Sequence, residues 1–240
     1  MIEVVKLRLL NTLRKEEGDG ARANRLLGEG IHLDPFVLFD EYHVYPDSSF
    51  PMHGHSGFEG FQYLMSGGTR YEDNQGNTGD IHKGGTRRFV CGDDFEHSEF
   101  PLGRETVRGY LLWVVLPPDK RSEVIYQQSN PKDLKKRTKE SLTVTEIISP
   151  LGSLRSYSDV YMSLMDGGGR WEFLLEEGES GFLYTSRGDV SVGGTKIPPK
   201  SGVVLKSGIN HMESSGDSEF VTVKGKRSGL DIIQDGGFVK

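Results

Sequence analysis

Residues 53–68, with the sequence HGHSGFEGFQYLMSGG, combine two histidines with an aromatic and aliphatic run that ends in a glycine turn. The apolar run and the Ser-Gly-Gly that closes it predict a β-strand entering a tight turn. His53 and His55 are spaced i and i+2, so in extended backbone both side chains lie on one face, roughly 6 to 7 Å apart. At that separation the two imidazoles can share one metal ion.

His97 and Glu99 form a second pair with the same spacing. Between the two pairs lie a polar segment at 71–80, a Lys-Gly-Gly turn at 83–85 and a short predicted strand at 87–91. Strands joined by such turns can become neighbours in a β-barrel. Three imidazoles and one carboxylate would then converge on one ion.

Three nitrogen ligands and one oxygen ligand suit a first-row transition metal. Such a set accepts iron, manganese, nickel, copper, cobalt or zinc, and an octahedral ion keeps open positions for oxygen or substrate. The motif alone is weak, because seven histidines in 240 residues produce a chance His-x-His pair roughly 0.2 times. The His-x-acid pattern also occurs at 32–34 and 211–213. The prediction therefore depends on the strands and turns around the motif.

The order of these motifs resembles the two motifs of the cupin superfamily and, more narrowly, the pirin family. The resemblance is dense over residues 20–116. It rests on LDPFVLFDE at 33–41, HGHSGFE at 53–59, YLMSGG at 63–68 and HSEFP at 97–101. It implies an all-β chain with two stacked cupin barrels of the jelly-roll type and little helix.

Carried over by position, the metal ligands of the family would be His53, His55, His97 and Glu99. The resemblance implies one divalent transition metal, with Fe(II) expected and Mn, Ni, Co, Cu or Zn as alternatives. Several pirins act on flavonols as quercetin 2,3-dioxygenases, which implies a small phenolic substrate and a catalytic role for Glu99 in accepting its hydroxyl proton. The alternative function is a non-enzymatic, metal-dependent redox sensor or transcription co-regulator that acts through a protein partner.

Two departures from the family pattern concern the site. Gly54 and Ser56 stand where pirins more often have proline and arginine, and Gly54 makes the start of the strand more flexible. Arg87, Arg88 and Phe89 occupy a segment in which a tryptophan is usual. We therefore expect the pocket wall, and with it the choice of substrate, to differ.

Glu59 competes with Glu99 as the fourth ligand, because in many cupins the glutamate of the first motif binds the ion. Glu59 lies four residues after His55, about 13 Å along an ideal strand, and reaches the ion only if the chain bends. Glu99 needs no bend. We favour Glu99 as the ligand and expect Glu59 to support the ligands or line the pocket. The alternative is a solvated acid near the rim of the barrel.

The other histidines of the first half and the single cysteine are expected to be structural. His32, His43 and His82 lie in polar or turn-rich segments, where surface or hydrogen-bonded histidines are common. Cys91 has no partner cysteine and lies among hydrophobic and basic neighbours. This environment favours a small core residue over a redox sensor.

The second half of the chain resembles a degenerate repeat of the first. The segment 182–189 parallels the strand and turn at 61–68, and His211 takes the place of the third histidine. Counting back from the turns, Leu174 and Glu176 take the places of the first two. We therefore expect no complete metal site in this half, and we expect His211 to be a relic or a packing residue.

The domain organisation follows from this duplication. We expect an N-terminal metal-binding cupin barrel at 1–118, a basic linker at 119–142 and a C-terminal cupin barrel without a complete metal site at 143–240. The linker is polar, with one short helix predicted at 131–136. The apolar run 110–116 predicts a strand that is buried on both faces.

Charge and residue usage exclude several classes of function. The formal net charge is −6, and the short basic cluster at 132–139 lacks interleaved aromatics, so direct nucleic-acid binding is not expected. A single cysteine excludes an intrachain disulfide and fits a reducing compartment. Residues 1–13 lack the apolar segment of a signal peptide and predict an opening strand. We therefore expect a cytoplasmic protein with no membrane association.

Overall fold

The computed structural model describes residues 7–240, and these residues form an almost entirely antiparallel β-structure. Positions 1–6 of the predicted opening strand lie outside the described residues. The first eleven strands are β1 (Arg8–Asn11), β2 (Leu13–Glu17), β3 (Ala21–Leu27), β4 (Phe36–Val44), β5 (Phe50–His55), β6 (Phe58–Ser66), β7 (Gly68–Asp73), β8 (Thr78–His82), β9 (Thr86–Cys91), β10 (Phe95–Pro101) and β11 (Val107–Val115).

The rest of the chain continues the same pattern, with 3-10 helices at Pro118–Lys120 and Pro131–Asp133. The later strands are β12 (Ile125–Ser129), β13 (Lys136–Lys139), β14 (Leu142–Ile148), β15 (Tyr161–Asp166), β16 (Gly169–Leu175), β17 (Glu179–Arg187), β18 (Val190–Val192), β19 (Thr195–Ile197), β20 (Ser201–Val204), β21 (Gly208–Ser214), β22 (Glu219–Lys226), β23 (Gln234–Asp235) and β24 (Phe238–Val239).

Each half of the molecule combines a seven-stranded sheet with a four-stranded sheet. In the first half the strand orders are β12-β9-β6-β11-β4-β3-β2 and β5-β10-β7-β8. In the second half they are β1-β20-β17-β22-β15-β14-β13 and β16-β21-β18-β19. The repeated arrangement confirms the predicted all-β fold of two cupin barrels.

The two large sheets pack against each other between the barrels. Phe39 of β4 meets Phe182 of β17 with ring centroids 5.1 Å apart, and both side chains are buried. Phe36 meets the same ring at 5.5 Å. Burying an aromatic side chain of this size contributes roughly 1.5–3 kcal/mol. The stacked barrels therefore share one apolar core, in addition to the core inside each barrel.

Strand β11 confirms the predicted strand at 110–116. It lies between β4 and β6 in the large sheet of the first barrel. Alternation along the strand sends Tyr110 and Leu112 to the core between the barrels, while Trp113 and Val115 point into the first barrel. A central strand with a core on each side is apolar at almost every position.

The segment 119–142, expected as a linker, contributes edge strands to both barrels. β12 pairs with β9 of the first large sheet, and β13 pairs with β14 of the second. The helix predicted at 131–136 is a single 3-10 turn at Pro131–Asp133. These pairings satisfy backbone groups that would otherwise be left open along the sheet edges.

Both ends of the described chain cross to the opposite half. β1 pairs with β20 in the large sheet of the second barrel. The β23–β24 hairpin returns to the first barrel, where Phe238 bridges to Ser56 and Val239 is fully buried in the core. Across residues 7–240 there is no helix with the length and apolar character needed to span a membrane.

Candidate metal centre

The three histidines of the two sequence motifs meet inside the first barrel. β5 and β10 are neighbours in its four-stranded sheet, and their register places His97 directly opposite His53. The ring centroids are 4.5 Å apart for His53 and His97, 4.6 Å for His53 and His55, and 5.1 Å for His55 and His97. One ring nitrogen from each residue lies within 4.8 Å of the others. The group could therefore hold one metal ion.

Backbone carbonyls orient two of the rings. Nδ1 of His53 lies 2.7 Å from the carbonyl oxygen of Pro51, and Nδ1 of His55 lies 3.1 Å from that of Gly237. A carbonyl oxygen only accepts hydrogen bonds, so each Nδ1 carries the proton and each Nε2 keeps its lone pair for a ligand. Both ring nitrogens of His97 are buried without a hydrogen-bond partner among residues 7–240. A bound cation would supply the partner that His97 lacks.

The surroundings keep two of the imidazoles neutral. Burial, helped by the neighbouring His53, lowers the pKa of His55 to about 4. Burial is also the main cause that lowers the pKa of His97 well below its ordinary value. Coordination needs the neutral imidazole, so these two residues are ready to bind a metal at neutral pH.

Glu99 follows His97 on the same strand, after a register shift in β10. Its Oε2 accepts hydrogen bonds from Nη2 of Arg87 at 2.7 Å and from Nε2 of Gln62 at 3.0 Å. Its Oε1 lies 3.8 Å from Nδ1 of His97. The carboxylate is not part of the group whose ligand atoms all lie within 4.8 Å. Glu99 as the fourth ligand therefore stays a prediction.

A cavity of about 530 Å³ opens next to the histidines. Its walls include the apolar side chains of Leu38, Phe50, Phe89, Leu111 and Trp113. The wall also includes three residues with polar side-chain atoms, Tyr42, Gln62 and Trp113. An apolar cavity of this size with a few converging polar groups is typical of a small-molecule site.

Comparison with known proteins identifies the family. Residues 20–114 match the model of the family described as Pirin. Pirin of Homo sapiens is 34% identical over 249 residues, which cover 96% of this chain and 86% of the human protein. The chain belongs to the pirin family.

Two solved structures show how widely this pirin shares its fold. Quercetin 2,3-dioxygenase from Acinetobacter baumannii matches with a TM-score of 0.88 and 18% identity, over 97% of this pirin and 83% of that chain. The bacterial pirin YhhW from Escherichia coli, in complex with nickel(II), matches with a TM-score of 0.76 and 16% identity, over 92% and 100%. At these identities the likeness establishes the fold alone.

Glu59 lies outside the metal group of this pirin. It is fully buried, and Oε2 pairs with Nη2 of Arg88 at 2.8 Å while Oε1 accepts from the amide of Tyr157 at 3.0 Å. Ser156 also donates to Glu59 Oε1. Burial raises the pKa of Glu59, and Arg88 opposes that shift. The interpretation as a solvated acid at the barrel rim is therefore wrong. The expectation that Glu59 supports the ligands or lines the pocket is also wrong, because its partners are not predicted ligands and it is not part of the cavity wall.

The alternation of β6 explains where Glu59 points. Phe61 and Tyr63, which share its parity, belong to the core between the barrels. Gln62 has the opposite parity and lines the cavity. His55 and Glu59 belong to strands of different sheets, so equal spacing parity does not place them on one face.

A charged cluster lies at the edge of the cavity, and no sequence motif predicted it. Arg25 donates to both oxygens of Asp40, at 3.1 and 2.8 Å, and also reaches Glu17 at 2.8 Å and Glu29 at 3.0 Å. Burial raises the pKa of Asp40 to about 6, although the hydrogen bond from Arg25 opposes the shift. These residues are scattered along the chain and form no motif, so only the fold brings them together.

The other histidines of the first half and Cys91 lie outside the metal group. Nδ1 of His32 is hydrogen-bonded to the carbonyl of Val37 at 3.0 Å. Burial lowers the pKa of His43, and His82 is exposed. Cys91 is fully buried in the barrel core, and burial raises the pKa of its thiol. This confirms the prediction that Cys91 is a core residue.

The register of the second barrel corrects the expected correspondence. His211 of β21 lies opposite Glu172 of β16, as His97 lies opposite His53. The match of the first histidine is therefore Glu172, and the predicted positions Leu174 and Glu176 are two residues too late. The strand-to-turn spacing differs between the halves, so counting back from the turns shifts the alignment.

His211 points away from the interior of the second barrel. Its side chain is 68% exposed, and Nδ1 lies 3.4 Å from Oε1 of the exposed Glu172. Of the two roles expected for His211, a relic or a packing residue, the packing role is therefore wrong. Of the residues nearby, Met212 belongs to the apolar core of this barrel, and Trp171 and Phe173 are partly buried and pack against that core. Among residues 7–240, no metal-type group of His, Cys, Asp or Glu lies in this half.

Proposed function

We propose that this pirin is a metal-dependent dioxygenase that acts on flavonols or related phenolic compounds. The observation that carries the proposal is the convergence of three imidazoles on the wall of an apolar cavity of about 530 Å³. A cavity in the range of roughly 300–1,000 Å³ accommodates a ligand of this size class. The substrate class is proposed because a quercetin 2,3-dioxygenase has this fold.

His53, His55 and His97 would hold the ion, with Glu99 as the fourth ligand through Oε1. Fe(II) suits this mixed nitrogen and oxygen set, as do the other first-row divalent ions. The bound ion would supply Lewis acidity and the redox chemistry that oxygen activation requires. The protein contributes ligand orientation, which it achieves through the carbonyls of Pro51 and Gly237.

The chain's own residues would bind and orient the phenol. Phe89 and Trp113 would present aromatic surface to a planar ring, and Tyr42 and Gln62 are polar residues of the same cavity wall. Glu99 would accept the hydroxyl proton on Oε1 when that oxygen is released from the ion, because its other oxygen is held by Arg87 and Gln62. Carboxylates are much weaker bases than phenolates, so this step requires an acidic hydroxyl such as that of a flavonol.

Metal content and oxygen consumption test the proposal together. Protein loaded with Fe(II) under anaerobic conditions should bind one ion per chain and consume oxygen when quercetin is added. His53→Ala and His97→Ala should lose both properties. His211→Ala, which removes an exposed histidine of the other barrel, should keep both. Stoichiometric iron without any quercetin-dependent oxygen uptake would overturn the dioxygenase while leaving the metal site standing.

A further inference from the structure

The first barrel buries a cation immediately behind the candidate metal ligands. Arg87 of β9 is completely buried, and its ion pair is with Glu99, through Nη2 and Oε2 at 2.7 Å. Nη2 also donates to Oγ1 of Thr69 at 2.9 Å, and the guanidinium lies 5.1 Å from the ring centroid of Tyr71. A buried charge is costly unless it is paired, so Arg87 and Glu99 form a unit.

We propose that Arg87 sets the charge of the metal site, by neutralising Glu99, so that the site favours a divalent over a trivalent ion. This inference rests on the proposed metal binding. Arg87 acts through Glu99 and is a positioning residue. The hydrogen bonds from Arg87 and Gln62 occupy Oε2 and leave Oε1 toward His97.

The charge balance gives the direction of the effect. Three neutral imidazoles and one carboxylate would give the site one negative charge, and the guanidinium of Arg87 cancels it. The Coulomb energy of an ion grows in proportion to its own charge, so a nearby cation penalises Fe(III) more than Fe(II). Burial strengthens the effect, because little water screens the guanidinium from the site.

The next residue of the same strand provides a matched control. Arg88 is also buried, and it also pairs with a buried glutamate, Glu59, at 2.8 Å. Alternation places it on the opposite face of the sheet, where it contacts the ring of Tyr157 from the second half of the chain. Loss of Arg88 therefore removes an equivalent ion pair away from the histidines.

The test is the midpoint potential of bound iron in the whole protein, measured after anaerobic loading with Fe(II). Arg87→Gln should lower the potential by at least about 59 mV, which corresponds to a tenfold gain in relative affinity for Fe(III). Arg88→Gln should leave the potential unchanged, and Arg87→Lys, which keeps the charge, should stay closer to wild type than Arg87→Gln. Equal potentials in Arg87→Gln and Arg88→Gln would overturn the inference.

A charge-balanced pair of variants covers the case in which Arg87→Gln does not fold. Glu99→Gln should raise the potential, and the double variant Arg87→Gln, Glu99→Gln should return it toward wild type because both charges are gone. A double variant with the same potential as Glu99→Gln would also overturn the inference. Wild-type protein that takes up no stoichiometric iron would instead overturn the proposed function, and this inference with it.

Discussion

The carbonyl oxygen of Gly237 accepts a hydrogen bond from Nδ1 of His55 at 3.1 Å. The two residues are far apart in the sequence, and the contact exists because the β23–β24 hairpin folds back onto the first barrel. The C-terminal hairpin therefore fixes the orientation of one of the three histidines. Partners of this kind typically change metal affinity by about 10–100-fold when they are lost.

Gly237→Ala should weaken metal binding. A Cβ at this position would lie 2.3 Å from Nδ1 of His55, so the ring must turn or the hairpin must move away. We expect the affinity for Ni(II), measured by isothermal titration calorimetry, to fall by about tenfold or more. Gly236→Asn is the control, because its Cβ would meet no atom within 4 Å and asparagine tolerates the positive φ of 55°. Equal affinities in the two variants would contradict the role of the hairpin.

The metal-free protein should lose stability in acid through His55. Burial lowers the pKa of His55 from 6.5 to about 4, so the unfolded chain binds the proton more readily. The resulting stabilisation is fully present above pH 6.5 and is lost as the pH falls toward 4, and it amounts to about 3 kcal/mol. Urea denaturation at pH 7 and pH 4 should show that His55→Gln weakens this pH dependence by that amount. The exposed His211→Gln should keep the wild-type dependence; a His55→Gln protein that also kept it would contradict the assignment.

Loss of Arg108 should weaken the contact between the barrels. Its Nε donates to Glu41 at 2.8 Å, and Nη2 donates to Glu219 of the second barrel. Arg108→Met leaves these buried carboxylates with fewer partners, which typically costs about 3–5 kcal/mol of unfolding free energy. Arg137→Met, which removes an exposed pair with Glu146, should cost less than about 1 kcal/mol. Similar urea midpoints for the two variants would show that the Arg108 network contributes little.

Tryptophan fluorescence should report metal binding from one residue only. Trp113 lies in the cavity with its ring 5.2 Å from that of His55, whereas Trp171 packs in the second barrel. A paramagnetic ion at the three histidines should quench the emission of Trp113 because of this short distance. Titration with Ni(II) should therefore quench Trp171→Phe and leave Trp113→Phe unchanged. Quenching that survives in Trp113→Phe would place the ion elsewhere.

The local sequence pattern was sufficient to predict the strands that carry the histidines. The i and i+2 spacing of His53 and His55 fixes their common face in any extended backbone, and the apolar run after them fixes the next strand. The glycine turns and the family resemblance then predicted a fold of two barrels. The buried strand β11 was equally clear, because a segment with a core on both sides must be apolar throughout.

Residues whose partners are distant in the chain could not be assigned in this way. Glu59 and Arg88 pair across two strands and contact the second half of the chain, so their sequence neighbours say nothing about their surroundings. The exposed position of His211 could not be predicted for a related reason. A shift in strand register changes which side chains face the core, and the register is set by packing of the whole barrel.

The sequence by itself determined the antiparallel strands, their turns and the three imidazoles, since these depend on the period of two along a strand and on glycine-rich turns. Only the tertiary structure decided which charges and carbonyls surround the imidazoles. Arg87 reaches Glu99 and Gly237 reaches His55 because burial drives separate strands and the C-terminal hairpin into one core, where each buried polar group requires a partner.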